Sequence, residues 1–177
     1  MKYDPNKHHR RSIRLPGYDY SQPGSYFVTI CLNVMGKDLQ DLPRLGKISD
    51  GKIIPNEPGK MVEQIWYELP SFYPGVALDA FILMPDHIHG VIVLTGEGTM
   101  TLSEVVHRFK SLTTTKYRHG VRELDWTPFF NRFWQRNYYE KIIRNETTWQ
   151  TVREYILNNP IAWELEPKHR QQYHPNP

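Results

Sequence analysis

The stretch Pro85-Asp86-His87-Ile88-His89-Gly90 places two imidazoles two residues apart. In a strand, alternate residues point to one face with Cα atoms roughly 6.5 to 7 Å apart, so His87 and His89 can aim both rings at one metal ion. A pair of hydrogen-bonded histidines filling a sheet face has the same spacing. The residues around the pair, Ile88, Val91, Ile92, Val93 and Leu94, read as core, and there two polar rings need partners. Cys31 is the only cysteine, which excludes disulfides within the chain and thiolate zinc clusters. Any metal must be held by His, Asp, Glu, Asn or Gln.

A second pair of chemistry-bearing residues, Tyr155 and Asn159, lies four apart near the C-terminus. On a helix such residues are neighbours, and at 100° per residue they fall beside the apolar stripe of Trp149, Val152 and Ile156, whereas Asn158 points away. A helix that turned this side to the histidines would present a phenol and, one turn on, an amide oxygen able to complete a two-histidine metal site. Taken singly, Tyr155 also reads as an edge residue with its hydroxyl in water, and Asn159 as a helix terminator before Pro160. Taken together, two histidines and an amide leave metal positions open to polarise a phosphodiester oxygen. A phenol of pKa about 10 is a weak nucleophile, but its attack on a phosphate so held leaves a covalent intermediate.

The elements that must position these residues follow from periodicity. Tyr26 to Leu32 reads as a strand buried on both faces, and a loop-rich segment follows with a small hairpin around Lys47 to Ile54. Pro58 opens a helix with Met61, Val62, Ile65, Trp66 and Leu69 at helical spacing until Pro70. Val76 to Met84 and His87 to Leu94 form a hairpin about Pro85-Asp86. Thr101 and Glu104 make a capping box for a helix that stops at Gly120. Phe133 to Ile143 holds a fourth strand, and Thr147 with Gln150 caps a last helix that ends near Pro160. The order β-α-β-β-α-β followed by α predicts an α+β, ferredoxin-like antiparallel sheet with two helices on one face and a spare helix carrying Tyr155.

The chain has 177 residues, 39% hydrophobic and 13% aromatic, which suits one domain with a real core and excludes a disordered chain. We expect a basic arm over residues 1–22, a single catalytic domain over 23–166 and a polar tail over 167–177. No apolar run approaches the roughly 20 residues of a bilayer span, and no signal peptide follows the charged start, so the expected location is the cytoplasm, with no membrane partner. The net charge is +3, but residues 1–14 carry +4, residues 15–100 carry −5, residues 101–145 carry +5 and residues 146–177 carry −1. The second cationic block alternates with aromatics in Arg132-Phe133-Trp134-Gln135-Arg136-Asn137-Tyr138-Tyr139. That composition suits phosphates and unstacked bases of a single strand, and it also suits a solvated charged face.

Four stretches in this order resemble one family: Arg10-Arg11-Ser12-Ile13-Arg14-Leu15 with Gly17-Tyr18-Asp19-Tyr20; Met84 to Gly90; Trp134-Gln135-Arg136-Asn137-Tyr138-Tyr139; and Tyr155-Ile156-Leu157-Asn158-Asn159-Pro160. The chain is similar to the HUH single-tyrosine transposases, most closely the REP-associated tyrosine transposases. The resemblance implies that His87 and His89 bind Mg²⁺ or Mn²⁺, that Asn159 is the polar third ligand, and that Tyr155 attacks single-stranded DNA to leave a 5′-phosphotyrosine and a free 3′-hydroxyl. It further implies that hairpins of imperfect palindromes are recognised. Arg10, Arg11 and Arg14 would contact the hairpin foot, and Arg108, Lys110 and Lys116 its phosphates. Tyr138 and Tyr139 are rival nucleophiles that lack an amide partner one turn on. Family members act as monomers or homodimers, with the tyrosine helix folded in cis or supplied by the partner, and the sequence leaves both open. The loop-rich segment from Val34 to Pro58 goes beyond the minimal family core.

Other classes share parts of this pattern. A histidine-triad nucleotide hydrolase needs a third histidine where Val91 stands, and an RNA-recognition domain needs stacking aromatics that His87 to Leu94 does not carry. A domesticated binder that keeps the fold and the nucleic acid but not cleavage is compatible with every motif.

Overall fold

A computed structural model describes residues 17–33 and 43–165. The expected tail, most of the expected arm and part of the loop after the first strand lie outside them. The elements are β1 (Gly24–Cys31), β2 (Gly46–Ser49), β3 (Lys52–Pro55), α1 (Glu57–Phe72), β4 (Val76–Leu83), β5 (His87–Leu94), α2 (Leu102–Glu123), β6 (Tyr139–Ile143) and α3 (Glu146–Leu165).

One antiparallel sheet has the order β4-β5-β1-β6, the strand order of the expected ferredoxin-like arrangement. Alternation along the strands divides the residues between two layers. Tyr26, Val28 and Ile30 of β1 and Ile88 and Ile92 of β5 pack with Val62, Trp66, Val106 and Phe109 of α1 and α2. On the opposite face Phe27 and Val91 join Ile143 and the α3 residues Val152 and Ile156 in a smaller cluster. Since His87, His89 and Val91 share one parity of β5, both histidines face α3.

The helix limits differ from expectation at four places. The α1 helix passes Pro70 and ends at Phe72. The α2 helix passes Gly120 and ends at Glu123, with the Leu124 N–H bonded to the Gly120 carbonyl. A Cβ at Gly120 would come within 2.2 Å of the Trp126 ring, so close packing, not helix termination, explains this glycine. The α3 helix runs through Pro160 to Leu165. Pro160 is buried, and packing offsets the backbone hydrogen bond it lacks. The α3 N-terminus is capped by Asn145, whose Oδ1 accepts from the Thr148 N–H at 2.8 Å, two residues earlier than the Thr147 and Gln150 pair suggested. The Thr101–Glu104 capping box is present as expected.

The β2–β3 hairpin turns on Asp50 and Gly51, both with positive φ, the backbone of a type I′ turn. It lies within the loop-rich segment from Val34 to Pro58 and braces α3: the Gly51 N–H donates to the Glu164 carboxylate at 2.7 Å. No helix of the described residues is long and apolar enough to cross a membrane.

Candidate metal and nucleophile site

The turn before β5 is fixed from outside. The Asp86 carbonyl accepts from Leu32 N–H at 2.8 Å, the Pro85 carbonyl from Leu45 N–H at 2.9 Å, and the His87 carbonyl from Met84 N–H at 2.9 Å. His87 thus starts β5 opposite Cys31, and His89 stands opposite Thr29. Both side chains are buried, 1% and 0% exposed.

Each ring is held by its Nδ1. His87 Nδ1 lies 2.7 Å from Asp86 Oδ1, and His89 Nδ1 lies 2.8 Å from Thr29 Oγ1. The two Nε2 atoms therefore face each other at 3.2 Å. A carboxylate can only accept, so the His87 proton belongs on Nδ1 and the Nε2 lone pair points at its neighbour. Burial, and next the proximity of His87, push the His89 pKa well below its usual value, which favours the neutral ring that a metal requires.

This arrangement fits a divalent cation. Two nitrogens 3.2 Å apart can both lie about 2.1 Å from one ion, and each ligating ring has the oxygen partner on its far nitrogen that metal-binding histidines commonly have. Among the described residues no group of three His, Cys, Asp or Glu is placed to hold a metal, so further ligands would be an amide, water or substrate oxygen.

The α3 helix lies across the pair. The Tyr155 ring is 5.2 Å from the His89 ring and 5.8 Å from Phe27, and the Trp163 ring is 5.6 Å from His87. Asn159 sits four residues from each of these rings and so shares their helix face; it is 7% exposed. The amide thus lies on α3 between the residue against one histidine and the residue against the other. Tyr138 is buried in the main core and Tyr139 begins β6, so neither shares this helix.

Sequence reasoning missed the anchor of α3. Between Leu78 and Phe81 the register of β4 against β5 shifts, and Asp79 in that irregularity receives Arg153 Nε at 2.8 Å and Nη2 at 2.7 Å. The Trp149 indole adds a contact at 3.4 Å and lies under the Arg153 guanidinium. The Arg153 hydrogen bond holds the Asp79 carboxyl below the ordinary carboxylate range. Trp149 and Arg153 at i and i+4 were a visible pair; Asp79 was not, because nothing local announces a strand irregularity.

The cations expected on DNA fall into three groups. Arg10, Arg11 and Arg14 lie outside the described residues. Arg108 and Lys116 are exposed on α2. Lys110 does not stand beside them: its ammonium donates to the carbonyls of Gln135 at 3.0 Å and Asn137 at 2.9 Å. Burial lowers its pKa to about 8, while the two carbonyls work the other way by favouring the charged form.

Comparison with known proteins bears on the family and the fold. The model of the family described as IS200-like transposase matches residues 52–159. A relative in Haemophilus influenzae, described as an uncharacterized protein, is 38% identical over 183 residues, covering 92% of this chain and 94% of that one. The solved structure of a REP-associated tyrosine transposase bound to a REP hairpin superposes with a TM-score of 0.59 at 19% identity, over 84% of this chain and 73% of the other.

Proposed function

The chain belongs to the IS200-like transposase family, and from that premise we propose that it is a metal-dependent enzyme that nicks and rejoins single-stranded DNA beside a hairpin. The observation that carries this reading is the pair of inward-facing Nε2 atoms at 3.2 Å beneath the helix that bears Tyr155. His87 and His89 would hold Mg²⁺ or Mn²⁺, with Asn159 as the third protein ligand. Bound there, the cation supplies charge stabilisation to a phosphodiester oxygen and needs no proton to do so.

The remaining chemistry belongs to the chain. Asp86 and Thr29 fix the ring orientations, so the lone pairs are set before substrate arrives. Tyr155 is delivered over His89 by a helix that Asp79 and Glu164 hold in place. Its phenolic oxygen attacks phosphorus, the bond from phosphorus to the 3′-oxygen breaks, and the departing oxygen takes a proton to become a 3′-hydroxyl. The tyrosine retains the 5′-phosphate as a diester. Reversal by a 3′-hydroxyl rejoins a strand without ATP, since one phosphodiester replaces another at each step. In this chain α3 packs on its own sheet, which supports a site completed in cis. The relative bound to a REP hairpin supports a hairpin as substrate, with Arg10, Arg11, Arg14, Arg108 and Lys116 as candidate phosphate contacts.

The test incubates the protein with labelled single-stranded DNA carrying the repeats that flank its own gene, together with Mn²⁺, and resolves products on a denaturing gel. A covalent adduct is expected, absent from Tyr155→Phe. The variants His87→Ala and His89→Ala should lose the adduct and keep DNA binding, because phosphate contacts dominate affinity. An adduct that survives in Tyr155→Phe sinks the choice of nucleophile; binding without any adduct would make the protein a silent hairpin binder.

A further inference from the structure

On the sheet face away from α3, a groove of about 420 Å³ opens between α2 and the segment 131–136. Arg118, Arg132, Arg136 and His107 line it with Thr114 and Thr115, and among the described residues no aspartate or glutamate does. None of the three arginines has an ion-pair partner among the described residues. Like charges gathered around one concavity repel, and an anion is the ligand that removes the repulsion.

The wall is built rather than loose. Lys110 binds the carbonyls of Gln135 and Asn137, the Trp134 indole donates to Thr113 Oγ1 at 2.8 Å, and the Gln135 N–H donates to the Cys31 carbonyl at 2.9 Å. Cys31 in turn pairs with His87. Gln135 is thus two strand spacings from His87, about 10 Å, at the end of the sheet where a chain can pass from one face to the other.

We propose that this groove is a second phosphate-binding site, which holds the backbone of the single strand a few nucleotides from the bond presented to Tyr155. The inference rests on the nucleic-acid reading above and adds a location to it. Arg132, Arg136 and Arg118 take the phosphates, and the Thr115 hydroxyl donates to a phosphate oxygen, while the Thr114 hydroxyl stays on the Lys110 carbonyl at 2.6 Å. The strand then rounds the end of β1 to reach the histidine face.

The experiment uses the full chain without divalent metal and a fluorescein-labelled oligo-dT strand, with anisotropy titrations at several NaCl concentrations. Replacing Arg132 and Arg136 together by Gln should weaken binding about tenfold and flatten the dependence of log affinity on log salt by about 1.4, two contacts at ~0.7 each. Replacing both by Lys keeps the charge and should keep the slope. Lys47→Gln with Lys52→Gln, on the β2–β3 hairpin, should leave it unchanged. Thermal melting of each variant checks the fold. A wild-type slope in the Gln pair, or an equal loss in the hairpin pair, overturns the groove. If that slope is unchanged while Tyr155 still forms its adduct, only the groove fails. If the slope responds but no adduct forms, the groove stands and the catalytic reading fails. If the wild type does not bind the strand, both are overturned.

Discussion

Gly90, the residue after the second histidine, offers the sharpest test of how the motif is packed. It points to the α1 and α2 side of the sheet, and a Cβ there would lie 2.3 Å from Cζ2 and 2.8 Å from Cη2 of Trp66. Ordinary carbon contacts begin near 3.5 Å, so Gly90→Ala demands a shift of about 1 Å. Trp66 has little room to give: it is 0% exposed, stacked on Phe81 at 5.1 Å and edge-on to Phe109 at 5.5 Å. Overpacking of this kind costs about 1–3 kcal/mol, and we expect the upper half of that range. At about 2–4 °C per kcal/mol for a chain of this size, melting should fall by about 4–12 °C. The clashing atoms belong to the outer ring of the indole, which Phe lacks, so Trp66→Phe should relieve the strain. It also removes the Trp66 indole N–H, which is buried without a hydrogen-bond partner among the described residues. Urea unfolding of both single variants and the double should give a favourable coupling of about 1–2 kcal/mol. If Gly90→Ala unfolds within about 0.5 kcal/mol of wild type, or the double variant is simply additive, the argument that this glycine is demanded by Trp66 is wrong.

Further outcomes follow from the site and its supports. Thr29→Val removes the oxygen partner of His89 Nδ1 without changing side-chain shape much, and Mn²⁺ affinity by calorimetry should fall about 10–100-fold; unchanged affinity would make Thr29 a bystander. Asp79→Asn should slow adduct formation while DNA affinity stays within about twofold; equal losses in both would mean global damage. The same variant carries a pH signature. The Asp79 carboxyl is lower in the folded protein than unfolded, so its contribution is full above the unfolded value near 3.9 and is lost as pH falls through the folded value. The stability gap between wild type and Asp79→Asn should be flat above about pH 5 and close toward pH 3; a gap that persists in acid would assign it to packing. Lys110→Met leaves the Gln135 and Asn137 carbonyls without their donor, and hydrogen exchange at residues 134–138 should quicken with the rest of the protein unaffected.

The apolar runs of the strands and the apolar stripes of α1 and α2 were enough to place the sheet and its two helices, and the two-residue spacing put both histidines on one face of β5, because these follow local periodicity. Tyr155 and Asn159 were legible as helix neighbours for the same reason. What could not be read depends on contacts distant in sequence. Gly120 resembled a terminator until Trp126 was seen to fill its space. Pro160 resembled an end because a lost hydrogen bond is local and its compensation is not. Lys110 resembled one more surface cation, since the carbonyls that bind it lie 25 and 27 residues away. Asp79 gave no sign at all, for its role arises from a slip in register between two strands.

The brace at the far end of α3 has a mechanical consequence. Asp79 grips the helix two residues before Tyr155, and the β2–β3 hairpin grips it at Glu164, nine residues after. A rod pinned on both sides of its working part cannot pivot about either pin. Tyr155 and Asn159 must therefore travel together, some 6 Å apart along the axis, and whatever opens this face must release a pin first. Of the two, the Glu164 pin is a single hydrogen bond against two at Asp79, and is the easier to release.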